Sequence, residues 1–159
     1  MIDLIRDLNK QGVCFDKGLT KSEIVDLEEL YAIKFPPDFI ALYSIAVPAL
    51  KGFVNWRDFS ENNVKYIKEK ICRPQEDIIR KIRSGEFWCD IWGDISREKS
   101  NVLTNIKKSP KLIPIYAHRY IPMQPCENNN PVFSVYHTDI IYYGKNLKDY
   151  LRGGGISTI

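Results

Sequence analysis

The stretch that decides the fold is LIPIYAHRYIP (residues 112–122) followed by NPVFSVYHTDIIYYGKNLKDYL (130–151). LIPIY (Leu112–Tyr116), VFSVY (Val132–Tyr136) and DIIYY (Asp139–Tyr143) are short runs of β-branched and aromatic residues, the composition of strands. Gly144 punctuates the last run, and Asn146–Leu151 reads as a short closing helix. QPCENNNP (124–131) is a long polar connection.

Working back toward the start, the pattern turns helical. Thr20-Lys-Ser-Glu23 has capping-box spacing, and Ile24, Leu27, Leu30 and Tyr31 fall on one helical stripe behind it. Glu23, Asp26, Glu28 and Glu29 lie mostly off that stripe. Pro36-Pro37 ends this helix, and Pro37 can open a second, where a missing amide costs nothing. Its apolar face is Phe39, Ile40, Leu42, Tyr43 and Ile45, with Pro48 and Gly52 at the exit. Val64, Ile67 and Ile71 give a further helix over Asn62–Cys72, which Pro74 is expected to break. Ile78, Ile79 and Ile82 fit a continued helix or a ragged strand equally well. Residues 94–109 read as a helix with Ile95, Val102, Leu103 and Ile106 inward and Lys107 and Lys108 at its C-terminal end. Helices first and strands later argue an α+β fold, with the N-terminal helices packed on an antiparallel-rich sheet from the C-terminal half. At 159 residues the chain fits a single domain, expected over 1–152, with 153–159 as a flexible Gly-rich tail.

Composition excludes several classes. With 44% hydrophobic residues the chain is neither disordered nor collagenous. No run approaches a membrane span, and MIDLIRDLNK mixes charge into its apolar residues, unlike a signal peptide, so a cytoplasmic protein is expected. The net charge of +3 is too small to imply nucleic-acid binding by itself. Its distribution is uneven: residues 1–60 carry 7 basic and 9 acidic groups, residues 61–111 carry 12 and 8.

Candidate chemistry is sparse. Cys14, Cys72, Cys89 and Cys126 form no CxxC pair and read as buried thiols in a reducing cytosol. His118 and His137 are the only histidines, with Asp139 as a conceivable partner, and they read as buried or half-buried imidazoles hydrogen-bonded to backbone. No phosphate-binding loop, nucleophile elbow or dinucleotide fingerprint is present, so no cofactor and no metal is expected. Trp56, Trp88 and Trp92 flank a basic strip, Lys65, Lys68, Lys70, Arg73, Arg80, Lys81 and Arg83. That strip could bind nucleic acid, but interrupting acids make a solvated helix face the plainer reading. The Trp, Tyr and Arg content suits a protein-binding module.

Several segments together resemble the SUKH superfamily, which unites a fungal cell-wall-synthesis regulator with many bacterial proteins. The resemblance runs over residues 20–152 and rests on Pro37-Asp38-Phe39, on Asn55-Trp56-Arg57-Asp58-Phe59, on Phe87-Trp88 with Trp92-Gly93, and on Pro114, Tyr116, His118, Arg119 and Tyr120. Pro122, Asn130 to Ser134, Asp139, Ile140, Tyr143 and Gly144 complete it. There are departures. Ala46-Val47-Pro48 and Gly52 stand where the family has Asn-Gly, Asp77 replaces a frequent Gly, and Ala117 replaces the common Gly before His-Arg-Tyr. The resemblance implies a non-enzymatic binding domain. Bacterial members are commonly immunity proteins that bind polymorphic toxins, often nucleases; a cell-wall or regulatory scaffold is the other role it implies. A nuclease with a basic groove would favour Glu23, Asp26, Glu28 and Glu29; an acidic partner face would favour Lys65, Lys68 and Arg73.

Overall fold

A computed structural model describes residues 1–153 and Ile156. The chain opens with α1 (Ile2–Lys10), β1 (Phe15–Lys17), α2 (Lys21–Tyr31), α3 (Pro37–Tyr43) and β2 (Ala46–Pro48). It continues with α4 (Glu61–Arg83), a 3-10 turn at Asp90–Trp92 and α5 (Ile95–Lys108). Four strands follow, β3 (Leu112–Tyr116), β4 (Arg119–Pro122), β5 (Val132–Tyr136) and β6 (Asp139–Gly144), and then α6 (Leu147–Arg152). The last four strands form an antiparallel meander in the order β3-β4-β5-β6, and β1 pairs with β2 in a separate antiparallel ribbon. The fold is α+β, with the main sheet in the C-terminal half. Among the described residues, no helix is long and apolar enough to cross a membrane.

The N-terminal helices form for the reasons their sequence gives. The Thr20 hydroxyl accepts from the Glu23 amide and the Glu23 carboxylate accepts from the Thr20 amide, completing the capping box. Ile24, Leu27 and Tyr31 are buried, while Leu30 lies at the exposed margin of the stripe. Pro37 stands at the first turn of α3, which ends at Tyr43; Ile45 is exposed, because the chain is already turning into β2. Phe35 and Phe39 stack at 4.5 Å and Phe39 and Tyr43 at 4.0 Å. Trp56 meets Tyr31, Phe35 and Phe39 edge-on, and is 1% exposed. The neighbouring Arg57 donates to the Glu23 carboxylate at 2.8 Å and to the carbonyls of Lys17 and Gly18. Gly18 is required there, since a Cβ would lie 2.1 Å from the Ser44 carbonyl oxygen.

Several expectations need correction. Pro74 does not break the third helix: α4 runs unbroken from Glu61 to Arg83 with Pro74 inside it. Proline removes the amide that would bond the carbonyl four residues earlier, and that carbonyl, on Lys70, accepts instead from the Tyr120 hydroxyl at 3.2 Å. A strand supplies the hydrogen bond the helix lacks. In α5, Ile95 is exposed and Val102 is the buried residue. The cysteines are free, but Cys14 and Cys126 are exposed and Cys72 and Cys89 half-buried. Of the expected tail, Gly153 closes α6 and Ile156 is buried in the core; the other tail residues lie outside the described residues.

The Tyr120 bond is testable by a double-mutant cycle. Tyr120→Phe leaves a buried carbonyl without a partner and is expected to cost about 1–3 kcal/mol in urea unfolding. In a Pro74→Ala background, where the helix amide returns, the same substitution should cost clearly less; equal costs would show that the hydroxyl has no such role. Glu23 gives a pH test. Its hydrogen bond from Arg57, joined by that from Thr20, holds the carboxyl at about 2 against an ordinary 4.5. Its stabilisation is therefore complete above about 4.5 and lost as pH falls toward about 2. Glu23→Gln should lower stability at neutral pH and flatten the acid limb of stability measured against pH in that window.

Candidate functional site

Two surfaces carry most of what the fold offers outward. The first is a polar cavity of about 250 Å³ where one side of α4 meets the tips of two hairpins. Tyr116-Ala-His-Arg119 and Tyr136-His-Thr-Asp139 are two-residue hairpin connections, β3 to β4 and β5 to β6. Such turns need left-handed backbone, and Ala117 (φ 48°) and His137 (φ 55°) adopt it. β4 and β5 pair antiparallel, so both tips fall at the same end of the sheet; the Val135 amide donates to the His118 carbonyl across them. The two histidines thus line one cavity with Lys70, Arg73, Asp77 and Tyr120.

Neither imidazole is an interior group bonded to backbone. Both are exposed at the cavity mouth, and His137 Nδ1 lies 3.0 Å from the Asp77 carboxylate. A carboxylate only accepts, so Nδ1 carries the proton. The partner is Asp77 of α4, not Asp139, because the hairpin tip leans against the helix. Arg80 donates to the other Asp77 oxygen at 2.9 Å. Burial works to raise the Asp77 pKa, but the hydrogen bonds from Arg80 and His137 outweigh it and the carboxyl sits below its ordinary value. Burial, with the positive charges of Arg119 and Lys70, pushes the His118 pKa down. Burial pushes Tyr120 up to about 12.

The second surface is apolar. A groove of about 400 Å³ runs between α4, α5 and the sheet, lined chiefly by Ile71, Ile78, Trp92, Val102, Ile106 and Ile140. Beside it lies β6, an edge strand whose Ile140, Ile141, Tyr142 and Tyr143 are 44–59% exposed. Its outer edge is unpaired among the described residues. The Val135 amide points to His118 and away from β6, so the backbone groups of Ile140, opposite Val135, point outward, and those of Tyr142 follow by alternation.

The residues singled out in the sequence scatter over these surfaces. Glu23 and Glu28 are structural: Glu23 holds Arg57 and caps α2, and Glu28 accepts from the Lys34 ammonium and the Phe35 amide. Asp26 and Glu29 remain exposed on α2. Lys65 and Lys68 are exposed on α4, beside Phe59 and Val64. Arg73 lines the polar cavity. The basic strip is one helix, but its Lys70 faces inward and Trp56 is core, so neither joins a shared stacking platform. Trp88 and Trp92 pack edge-on at 5.3 Å, half-buried. Among the described residues, no group of three or more His, Cys, Asp or Glu could hold a metal. Asp77 was not singled out as a site residue, and Lys70 only as one member of the basic strip, because only the repeated aromatic-x-x-charged spacing of the two turns hints that their tips converge. No family model matches the chain, and neither a curated protein nor a solved structure matches it.

Ala117 is one of two left-handed residues on the cavity rim, the other being His137. Left-handed backbone costs an L residue roughly 1–2 kcal/mol. Ala117→Gly is expected to stabilise the protein by about 1 kcal/mol in chemical unfolding; a loss of stability would show that the turn is held by something other than its backbone preference.

Proposed function

We propose that the chain is a non-enzymatic protein-binding domain of the SUKH type, an immunity protein that neutralises a cognate toxin by stoichiometric occlusion. The observation that carries this reading is the open edge of β6 with its row of Ile140, Ile141, Tyr142 and Tyr143 beside the Trp92 groove. An exposed apolar edge strand is a hazard that proteins usually blunt with lysine or proline. Here the strand has neither within Asp139–Gly144. Tyr136, on the adjoining hairpin tip, is 64% exposed and extends the aromatic surface. Tyr and Trp are the anchors of interface hot spots, and unpaired strand amides add register.

The segments of the resemblance also have structural work consistent with a binding scaffold. The Asp38 carboxylate accepts from the Asn129 amide, tying α3 to the 124–131 loop. Asn130 donates to the carbonyls of Pro122 and Pro125. Arg119 donates to Ser134 and lies 3.9 Å over the Tyr143 ring. Of the two charged faces, the acidic one is weakened as a docking surface, since Glu23 and Glu28 are engaged within the fold.

Co-expression with the product of the neighbouring gene tests the proposal. The expected outcome is rescue from a toxic product and a one-to-one complex on size-exclusion chromatography. Tyr142→Glu should abolish both while leaving the melting temperature near that of the parent. A neighbouring product that is harmless, or toxic and not rescued, would sink the immunity reading. Unchanged rescue by the Tyr142→Glu variant would move the docking face elsewhere.

A further inference from the structure

The polar cavity holds a charge without a counter-ion. Lys70 is only 7% exposed and lines the cavity. Its ammonium donates to the Tyr66 hydroxyl at 3.2 Å and lies 5.5 Å from that ring, and no carboxylate pairs with it among the described residues. A buried ammonium without an anion is costly, and two of its three donors remain free. The one acid in the cavity, Asp77, is not its partner: its two oxygens accept from His137 and from Arg80. Arg73 lines the same cavity with no hydrogen bond or ion pair among the described residues, and the His118 ring makes no hydrogen bond among them.

From this geometry we propose that the cavity between α4 and the two hairpin tips is a binding site for a phosphate group, free or as a monoester. It does not depend on the proposed immunity role. The polar groups that would meet the anion, all of them lining the cavity, come from three elements: Lys70 and Arg73 from α4, His118 from the β3–β4 turn and His137 from the β5–β6 turn. They converge from different directions, which a tetrahedral anion with several acceptor oxygens satisfies better than a planar carboxylate. The bound anion supplies the missing partner of Lys70. Asp77 takes the His137 Nδ1 proton in its hydrogen bond, so Nε2 is the nitrogen left for the ligand: it accepts from a protonated phosphate oxygen, or donates when the ring is an imidazolium.

The test is an NMR titration that follows the two imidazoles. Inorganic phosphate and O-phosphoserine are titrated separately, with chloride holding ionic strength constant. Saturable shifts of both rings with either ligand are expected, and the tighter of the two identifies the source. Lys70→Met keeps the buried stem and removes the charge; Arg73→Gln lies at the surface and leaves the core intact. Each should weaken binding by roughly tenfold or more. Lys65→Gln and Lys68→Gln, on the exposed face of the same helix, should leave affinity unchanged. Shifts that grow without saturating, affinity unchanged in both cavity variants, or equal weakening by the exposed-face pair would each overturn the site.

Discussion

Trp56 and Arg57, adjacent in sequence, fasten the N-terminal half by two different kinds of force. The indole fills the space between the Tyr31, Phe35 and Phe39 rings, and so joins the end of α2 to α3 and to the connection between them. Aromatic burial of this kind is the largest single contribution a side chain can make to a core, but it is tolerant of direction. The guanidinium beside it is not. It reaches a carboxylate on α2 and two carbonyls in the segment leaving β1, so it fixes where the helices sit relative to the ribbon. Glu23 meets both demands at once, capping its own helix and accepting from Arg57, which explains why its carboxyl holds its charge so far into acid.

The C-terminal half is organised around α4 and the single irregularity in it. Pro74 frees the Lys70 carbonyl, and the Tyr120 hydroxyl that takes it up draws β4 against the helix. That contact brings the helix turn carrying Lys70, Arg73 and Asp77 up to the end of the sheet where both hairpins turn. The cavity is thus a by-product of repairing a proline. The gap in the helix ladder, the inward lysine and the histidine tips all belong to one packing solution.

How much of this could be read beforehand follows from the range of the forces involved. The capping box at Thr20, the proline start of α3 and the strands β3, β5 and β6 were legible, because each is written in residues a few positions apart. β4 was hidden, since Arg119–Pro122 ends in proline and borrows its pairing from both neighbours. The continuity of α4 was invisible for the same reason: its repair lies on Tyr120, some fifty residues away. Asp139 looked like a histidine partner by proximity in sequence, whereas a two-residue turn directs His137 off the strand and toward the helix beyond. Glu23 and Glu28 read as a free acidic face because nothing near them shows that Arg57 and Lys34 will reach them.

The β5–β6 hairpin contributes to both outward surfaces, and its geometry explains how it can. The tip carries His137 in left-handed backbone, which turns the imidazole out of the sheet and against Asp77. From Asp139 onward the chain returns as an edge strand, and Ile140 faces the groove while the backbone of Ile140 and Tyr142 faces open space. The tip is held by a charged hydrogen bond to α4 and the strand by its ladder to β5. The two surfaces are therefore supported by separate interactions, although one short segment builds both. Tyr136 is where the two meet, since it lines the cavity and its exposed ring also extends the aromatic edge.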